Sequence, residues 1–267
     1  MDLLKREIAP ITPEAWAAID QEAASLLKVK LAARQLVDVD GPHGWKLGAV
    51  NTGRLNLLDA EPAPGVGVGI RQVQPLLELR VPFKLDLMEM DSISRGLDSP
   101  NLDPLREAVE RIALAEDRTV FQGFRDAQIK GILESSSHHA ISFGDTPEDR
   151  FAAIVQAWQV LQHAGIGGPY GLAVGNDMHL AILEAAEDGY PIVKRIQDLL
   201  QGPIVRAGVL DGGVLVSRRG GDFKLTLGQD LSIGYASSDR NQAELYITGS
   251  HTFQTLERDA SVELSIH

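Results

Sequence analysis

Residues Arg218 to Tyr235 read RRGGDFKLTLGQDLSIGY. Phe223, Leu225 and Leu227 alternate with Lys224 and Thr226, the two-residue period of a strand with one face packed and the other solvated. Gly220 and Gly221 interrupt the chain before that strand. Gly228-Gln229-Asp230 then turns it toward a second apolar run, Leu231, Ile233 and Tyr235. The pattern predicts a β-hairpin within a β-containing core.

On either side of this stretch, the chain alternates helical and extended periods. Thr12-Pro13-Glu14 supplies an N-cap, a first-turn proline and a first-turn acid. Trp16, Ile19, Ala23, Leu26, Leu27 and Leu31 follow at helical spacing, predicting an amphipathic helix that runs to about Arg34. Ala49 to Leu87 predicts a ribbon. Leu55 and Leu57 lie on one arm, a Pro/Gly turn follows, and Ile70 to Leu87 returns as one long strand. So long a two-stranded ribbon is marginal alone and calls for a partner element or a partner chain. Asp103-Pro104 opens a helix with a broad apolar face, Leu105, Ala108, Val109 and Ile112, continuing to Phe121. Thr146-Pro147-Glu148-Asp149 caps another. Tyr170 to Val174 reads as a buried strand, Met178 to Glu187 and Ile192 to Leu200 as short helices. The remainder is mainly β, over Val205 to Val216, Glu244 to Ile247, Thr252 to Thr255 and Val262 to Ile266. Without βαβ regularity or an internal repeat, the order argues for an α+β fold.

Composition narrows the function. With 267 residues the chain has enough length for a substantial core, and 44% hydrophobic against 23% charged residues is ordinary for a globular protein. No apolar run approaches the ~20 residues of a membrane span, and MDLLKREIAP lacks a signal-peptide core, so the cytoplasm is the expected location and no membrane partner is expected. The absence of cysteine removes disulfides, thiolate metal sites and cysteine nucleophiles. Twenty-five Lys and Arg against 37 Asp and Glu give a formal charge of −12, which disfavours nucleic acid as a partner.

Signature stretches of enzymes are missing. Gly65-Val66-Gly67 reaches Ile70 where a dinucleotide fingerprint needs its third glycine, and there is no phosphate-binding Gly-Lys-Ser/Thr, nucleophile elbow or HExxH. His138-His139 has no ligand-spaced companion, so no metal site is assigned. No catalytic residue is assigned either.

The wording of the signature stretch resembles that of the encapsulins, shell proteins related to the HK97-like capsid fold of tailed phages. The likeness continues through LLKREIAPITPEAWAAID, LVDVDGPHGW, LLELRVPFKLDL, AEDRTVFQG, AGIGGPYGLAV, DGYPI and VELSIH, in order along nearly the whole chain. The resemblance implies an α+β HK97-like capsid fold with a peripheral domain, an axial domain and an extension loop. It divides the chain as 1–48 (N-terminal lumenal helix and start of the peripheral domain), 49–75 (extension loop), 76–132 (peripheral domain with a spine helix), 133–220 (axial domain), 221–255 (peripheral return) and 256–267 (C-terminal strand). The function it implies is that of a shell subunit. About sixty copies would close into an icosahedral cage around a cargo enzyme, a ferritin-like iron-storage protein or a dye-decolorizing peroxidase, recruited through its C-terminal targeting peptide. A phage major capsid protein and a protease- or bacteriocin-like hydrolase are the rival readings.

Site residues follow from the same resemblance. Arg34, Asp38, Leu231, Ile233, Gly234 and Tyr235 are assigned to the cargo peptide, which needs apolar slots and a few polar groups to orient its backbone. Arg34 and Asp38 could equally pair with each other across one helical turn. Glu184, Glu187 and Asp188 read first as a solvated helix end. The resemblance puts them at the rim of a five-fold pore, where a ring of carboxylates would attract cations such as ferrous iron. Some relatives carry LDLWELD, whose tryptophan stacks on a flavin. Met88 stands there in LDLMEMD, and a thioether does not stack as an indole does, so no flavin or other shell cofactor is expected; the cargo would bring iron or haem.

Overall fold

The computed structural model describes residues 3–144, 146–187 and 190–266. Thr12 accepts the Ala15 N–H at 3.2 Å and starts helix α1 (Pro13–Lys30), which buries Trp16, Ile19 and Ala23. The helix ends short of Arg34. Asp117, far along the chain, accepts the N–H groups of Ala32 at 3.2 Å and Ala33 at 2.8 Å and draws the backbone into a 3-10 turn, Ala33–Gln35. Strand β1 (Asp38–Asp40) follows. The ribbon is β2 (Ala49–Leu58) antiparallel to β3 (Val68–Pro75), with Leu55, Leu57, Ile70 and Val73 exposed along it. Its return is not one strand. The Leu76 N–H bonds to Gly48, and the chain changes partners to begin β4 (Leu77–Asp86), so β3 pairs within the ribbon and β4 within the main sheet.

Helices α2 (Leu87–Ser94) and α3 (Asp103–Phe121) come next, with α3 lying against both α1 and β4. A small hairpin, β5 (Gly123–Phe124) with β6 (Ile129–Lys130), and the one-turn α4 (Ile132–Ser135) lead to β7 (Ile141–Ser142). Thr146 then caps α5 (Pro147–His163) by accepting the Asp149 N–H at 3.1 Å. Beyond it run β8 (Tyr170–Val174), α6 (Asn176–Glu184), β9 (Ala186–Glu187), β10 (Tyr190–Pro191) and α7 (Ile192–Leu200). The expected helix to Glu187 therefore stops at Glu184, because Ala186 and Glu187 pair with Pro191 and Tyr190. The last strands are β11 (Ile204–Arg206), β12 (Gly213–Ser217), β13 (Phe223–Leu227), β14 (Ser232–Ser238), β15 (Gln242–Thr255) and β16 (Ser261–Ser265).

Two sheets organise these elements. In the first, β15 carries β4 on one side. On its other side it pairs with β14 through residues 243–248 and with β13 through residues 251–255, and β1 lies parallel to β13. The signature stretch is thus not a hairpin. β13 and β14 both run antiparallel to β15, one after the other, with Gly228 to Leu231 bulging between them. Residues 244–255 also belong to one continuous strand, although Thr248-Gly249-Ser250-His251 resembles a turn by composition. Thr248, His251 and Thr252 are buried polar residues on it.

The second sheet has the order β11-β8-β12-β16-β7, is flanked by α5, α6 and α7, and takes the C-terminal strand between β12 and β7. Its side chains, with Phe121, Phe223 and Phe253, form the larger core. A second core joins α1, α2 and α3 to β4, β14 and β15. The architecture is α+β, with two sheets and helices segregated around them.

Candidate functional site

The parallel pairing of β1 with β13 brings LVDVDGPHGW against the signature stretch. Lys224 Nζ lies 2.6 Å from Asp40, and the N–H groups of His43 and Gly44 bond to the Leu227 and Gly228 carbonyls. Arg34 sits at the corner so formed. Its Nε and Nη2 donate to the two carboxylate oxygens of Glu116 at 2.6 and 2.8 Å, and its Nη1 donates to Asp230 at 2.8 Å. Burial alone would lower the proton affinity of this guanidinium, but the hydrogen bonds and charges of Glu116 and Asp230 outweigh it and keep it above the ordinary arginine value. Three of the five guanidinium N–H donors are committed in this way.

Asp38 does not meet Arg34. Its carboxylate accepts the Gly221 N–H at 2.6 Å, just where Gly220 and Gly221 hold φ of +87° and +83°, a region that costs a side chain dearly. Arg34, Asp38, Arg218 and Asp222 instead share the wall of a small cavity of about 90 Å³. The alternative of an Arg34–Asp38 ion pair is therefore not realised, because the helix that would have stacked them ends at Lys30.

The apolar half of the site is β14. Leu231, half-buried, leaves the bulge after Asp230, whose carboxylate also accepts the Leu231 N–H at 2.8 Å. Ile233 and Tyr235, 5% and 9% exposed, point into the second core with Trp16 and Ile19, so in a single subunit they are packing residues rather than the walls of an open slot. Gly234 lies opposite Tyr246 on β15. A Cβ there would collide with the Tyr246 ring, which lies across the glycine and has the Arg80 guanidinium 3.5 Å from its centre. Asp230 connects the two halves, holding Arg34 on one side and the start of β14 on the other.

Two buried titratable groups back this corner. Burial pushes the Asp117 carboxyl up to about 7, against the opposing effect of the Ala33 and Ala32 N–H bonds, and the neighbouring Glu116 charge adds to the rise. Burial likewise holds His251 below its ordinary 6.5, and its Nε2 has no hydrogen-bond partner among the described residues.

The family described as "encapsulating protein for peroxidase" matches residues 1–252. A type 1 encapsulin shell protein of Rhodospirillum rubrum is 43% identical, covering 99% of this chain and 96% of its own. A type 1 encapsulin shell protein of Mycobacterium tuberculosis is 40% identical over 99% of this chain and all of its own. The chain belongs to the encapsulin shell family. Its fold is the HK97-like capsid fold. The virus-like particle of Pyrococcus furiosus superposes with a TM-score of 0.66 at 16% identity over 94% of this chain and 98% of that one, and the capsid of phage XM1 with 0.56 at 11% identity over 90% and 92%. The full-length identity to shell proteins, against low identity to phage capsids, decides between the two shell readings, and the family is one of capsid-forming proteins rather than hydrolases.

Of the three acidic residues expected at a pore rim, Glu184 is exposed and ends α6, Glu187 lies on β9 with its side chain outside the described residues, and Asp188 falls outside them altogether. Met88 is exposed on α2. His138 Nε2 lies 3.0 Å from the Asp259 carbonyl oxygen, and among the described residues no group of three His, Asp or Glu is placed to hold a metal. No described helix is long and apolar enough to cross a membrane. Sequence reasoning missed Glu116 and Asp230, the two partners of Arg34. Glu116 had a signal: it stands four residues after Ile112, on the buried stripe of α3, where a helix facing the core calls for an apolar side chain.

Proposed function

We propose that this chain assembles into a closed icosahedral shell of about sixty copies and encloses a cargo enzyme through the enzyme's C-terminal targeting peptide. The observation that carries the reading is the full-length identity to encapsulin shell proteins, in a family described as encapsulating a peroxidase. That description favours a dye-decolorizing peroxidase as cargo over a ferritin-like iron-storage protein. The exposed apolar β2–β3 ribbon supports intersubunit overlap by residues 49–75, since Leu55, Leu57 and Ile70 have no core of their own to enter. Residues 1–48, 76–132 and 221–255 form the peripheral domain and 133–220 the axial domain in this reading, with 256–267 returning to the axial side.

Cargo docks at the corner of Arg34, Asp38 and Asp230 and along Leu231 to Tyr235. Because Ile233 is a core residue, Leu231→Asp is the sharper test. Shells are purified with their cargo from the native host, the cargo is identified by mass spectrometry, and the pair is co-expressed. Loss of co-purifying cargo from intact Leu231→Asp cages, and from wild-type cages when the cargo lacks its C-terminal tail, is the expected result. Loading that survives both changes overturns the docking assignment. Glu184, Glu187 and Asp188 admit cations in this scheme, and their amide variants slow ferrous iron entry into loaded shells. Met88 offers an exposed thioether where flavin would need an aromatic face, so the shell takes no flavin at that position.

A further inference from the structure

β14 is hydrogen-bonded to β15 on one side only, and alternate N–H groups of such a strand point away from its partner. The outward Tyr235 N–H donates to the carbonyl of Leu4 at 2.8 Å. One residue earlier, the Leu3 carbonyl accepts the Tyr246 hydroxyl at 3.3 Å, from the ring that lies across Gly234. The chain's own N-terminal segment therefore occupies the open edge of the strand assigned to cargo.

Its hold is light. Leu3 and Ile8 are 60% and 70% exposed, and the 3-10 turn Arg6–Ile8 contains no buried residue. Lys5 has φ of 52°, in the left-handed region that disfavours residues with a side chain. Just beyond it the segment is clamped, with the Arg6 guanidinium 4.0 Å from the centre of the Trp16 ring and bonded to Asp20 at 2.7 Å. A short, largely exposed strap thus precedes a fixed point, and the strap carries two adjacent leucines whose carbonyls meet Tyr246 and Tyr235.

We propose that the outer edge of β14 takes an extended aliphatic peptide as an added strand, in exchange for residues 3–5 of the same subunit, which guard that edge in the empty shell. The inference rests on the reading of β14 as the docking strand and adds its mode and its regulation. An incoming segment would place a carbonyl on the Tyr235 N–H and an aliphatic side chain over the half-buried seat of Leu4. Neither contact calls for a charge on the peptide. Strap and ligand are then mutually exclusive, and an unfilled shell keeps no bare strand edge for unrelated chains to pair with.

The test uses the strap as its own probe. A fluorescent protein ending in DLLKREI, the sequence of residues 2–8, is co-expressed with full-length shells, with shells lacking residues 2–5, and with Leu4→Glu shells. Fluorescence co-eluting per cage is measured. The deletion keeps Arg6 and its clamp, and Leu4→Glu reports independently where the deletion fails to assemble. Retention at least about tenfold higher than in full-length shells is expected for both variants, because a tethered strap competes at a millimolar effective concentration. Leu231→Asp in either background removes the gain. Equal retention by intact full-length and variant cages overturns the proposal. Native cargo takes no part in this readout, so equal retention alongside Leu231-dependent cargo loading discards strand exchange alone. Raised retention alongside cargo loading that ignores Leu231 discards the cargo assignment alone.

Discussion

Replacing Arg34 by methionine is the most demanding perturbation of the corner. The Arg34 side chain is 18% exposed and Glu116 only 1%, so the substitution strands a carboxylate inside the protein. Removing one partner of such a pair costs about 3–5 kcal/mol, because the remaining charge keeps its desolvation penalty and loses its compensation. The bond to Asp230 adds little, since that carboxylate is 43% exposed and the exposed-pair value is about 0–1 kcal/mol. For a chain of this size the loss corresponds to a fall in melting temperature of roughly 6–20 °C. Shell unfolding is followed by circular dichroism at one fixed scan rate, since cage melting is under kinetic control. The double variant Arg34→Met with Glu116→Leu recovers most of the loss, because an apolar pair of similar volume removes the stranded charge. A single variant within about 1 kcal/mol of the parent would show that water reaches Glu116, and a double variant no better than the single would show that packing, not charge, is what Arg34 supplies.

Asp117 and His251 set opposite pH dependences. With its folded pKa raised from 3.8 to about 7, Asp117 binds its proton more tightly folded than unfolded, so its contribution to stability falls as pH rises through that window. Asp117→Asn flattens this decline in urea unfolding at a series of pH values; an unchanged slope places the titration elsewhere. His251 has its folded pKa lowered from 6.5, so its contribution is complete above 6.5 and is lost as pH falls below it. His251→Phe is expected to resist acid better than the parent, and equal acid sensitivity would mean that His251 takes up its proton as readily folded as unfolded. Gly234→Ala drives a Cβ into the Tyr246 ring and costs about 1–3 kcal/mol as an overpacking change, with loss of the Tyr246 bond to Leu3. A neutral result by thermal unfolding would mean that the ring moves aside freely.

Helix positions were legible wherever a cap and a stripe coincided. Thr12, Thr146 and Asp103-Pro104 start the three long helices where the local chemistry says they should. Strand partners were much less legible. The bulge of Gly228 to Leu231 and the break at Leu76 look like a hairpin turn and an uninterrupted strand because period-two patterning fixes which way side chains face and not which neighbour a strand takes. The helix end at Lys30 depended on Asp117, more than eighty positions away, and no local signal could announce it. At the site, the resemblance brought Arg34 and Leu231 to Tyr235 into one reading, and the fold joins them through Asp230. Arg34's buried partner and the N-terminal strap on β14 are contacts between distant segments, and such contacts leave no periodic trace.

The central claim is a closed shell built from this chain alone. The direct measurement is the mass and shape of the purified protein expressed without cargo, by light scattering and negative-stain imaging. Uniform hollow particles of about 1.7 MDa, sixty copies of a 28.9 kDa chain, are predicted. A monodisperse monomer of 28.9 kDa would contradict the account, since the exposed leucines of the β2–β3 ribbon would then be satisfied without a neighbouring subunit.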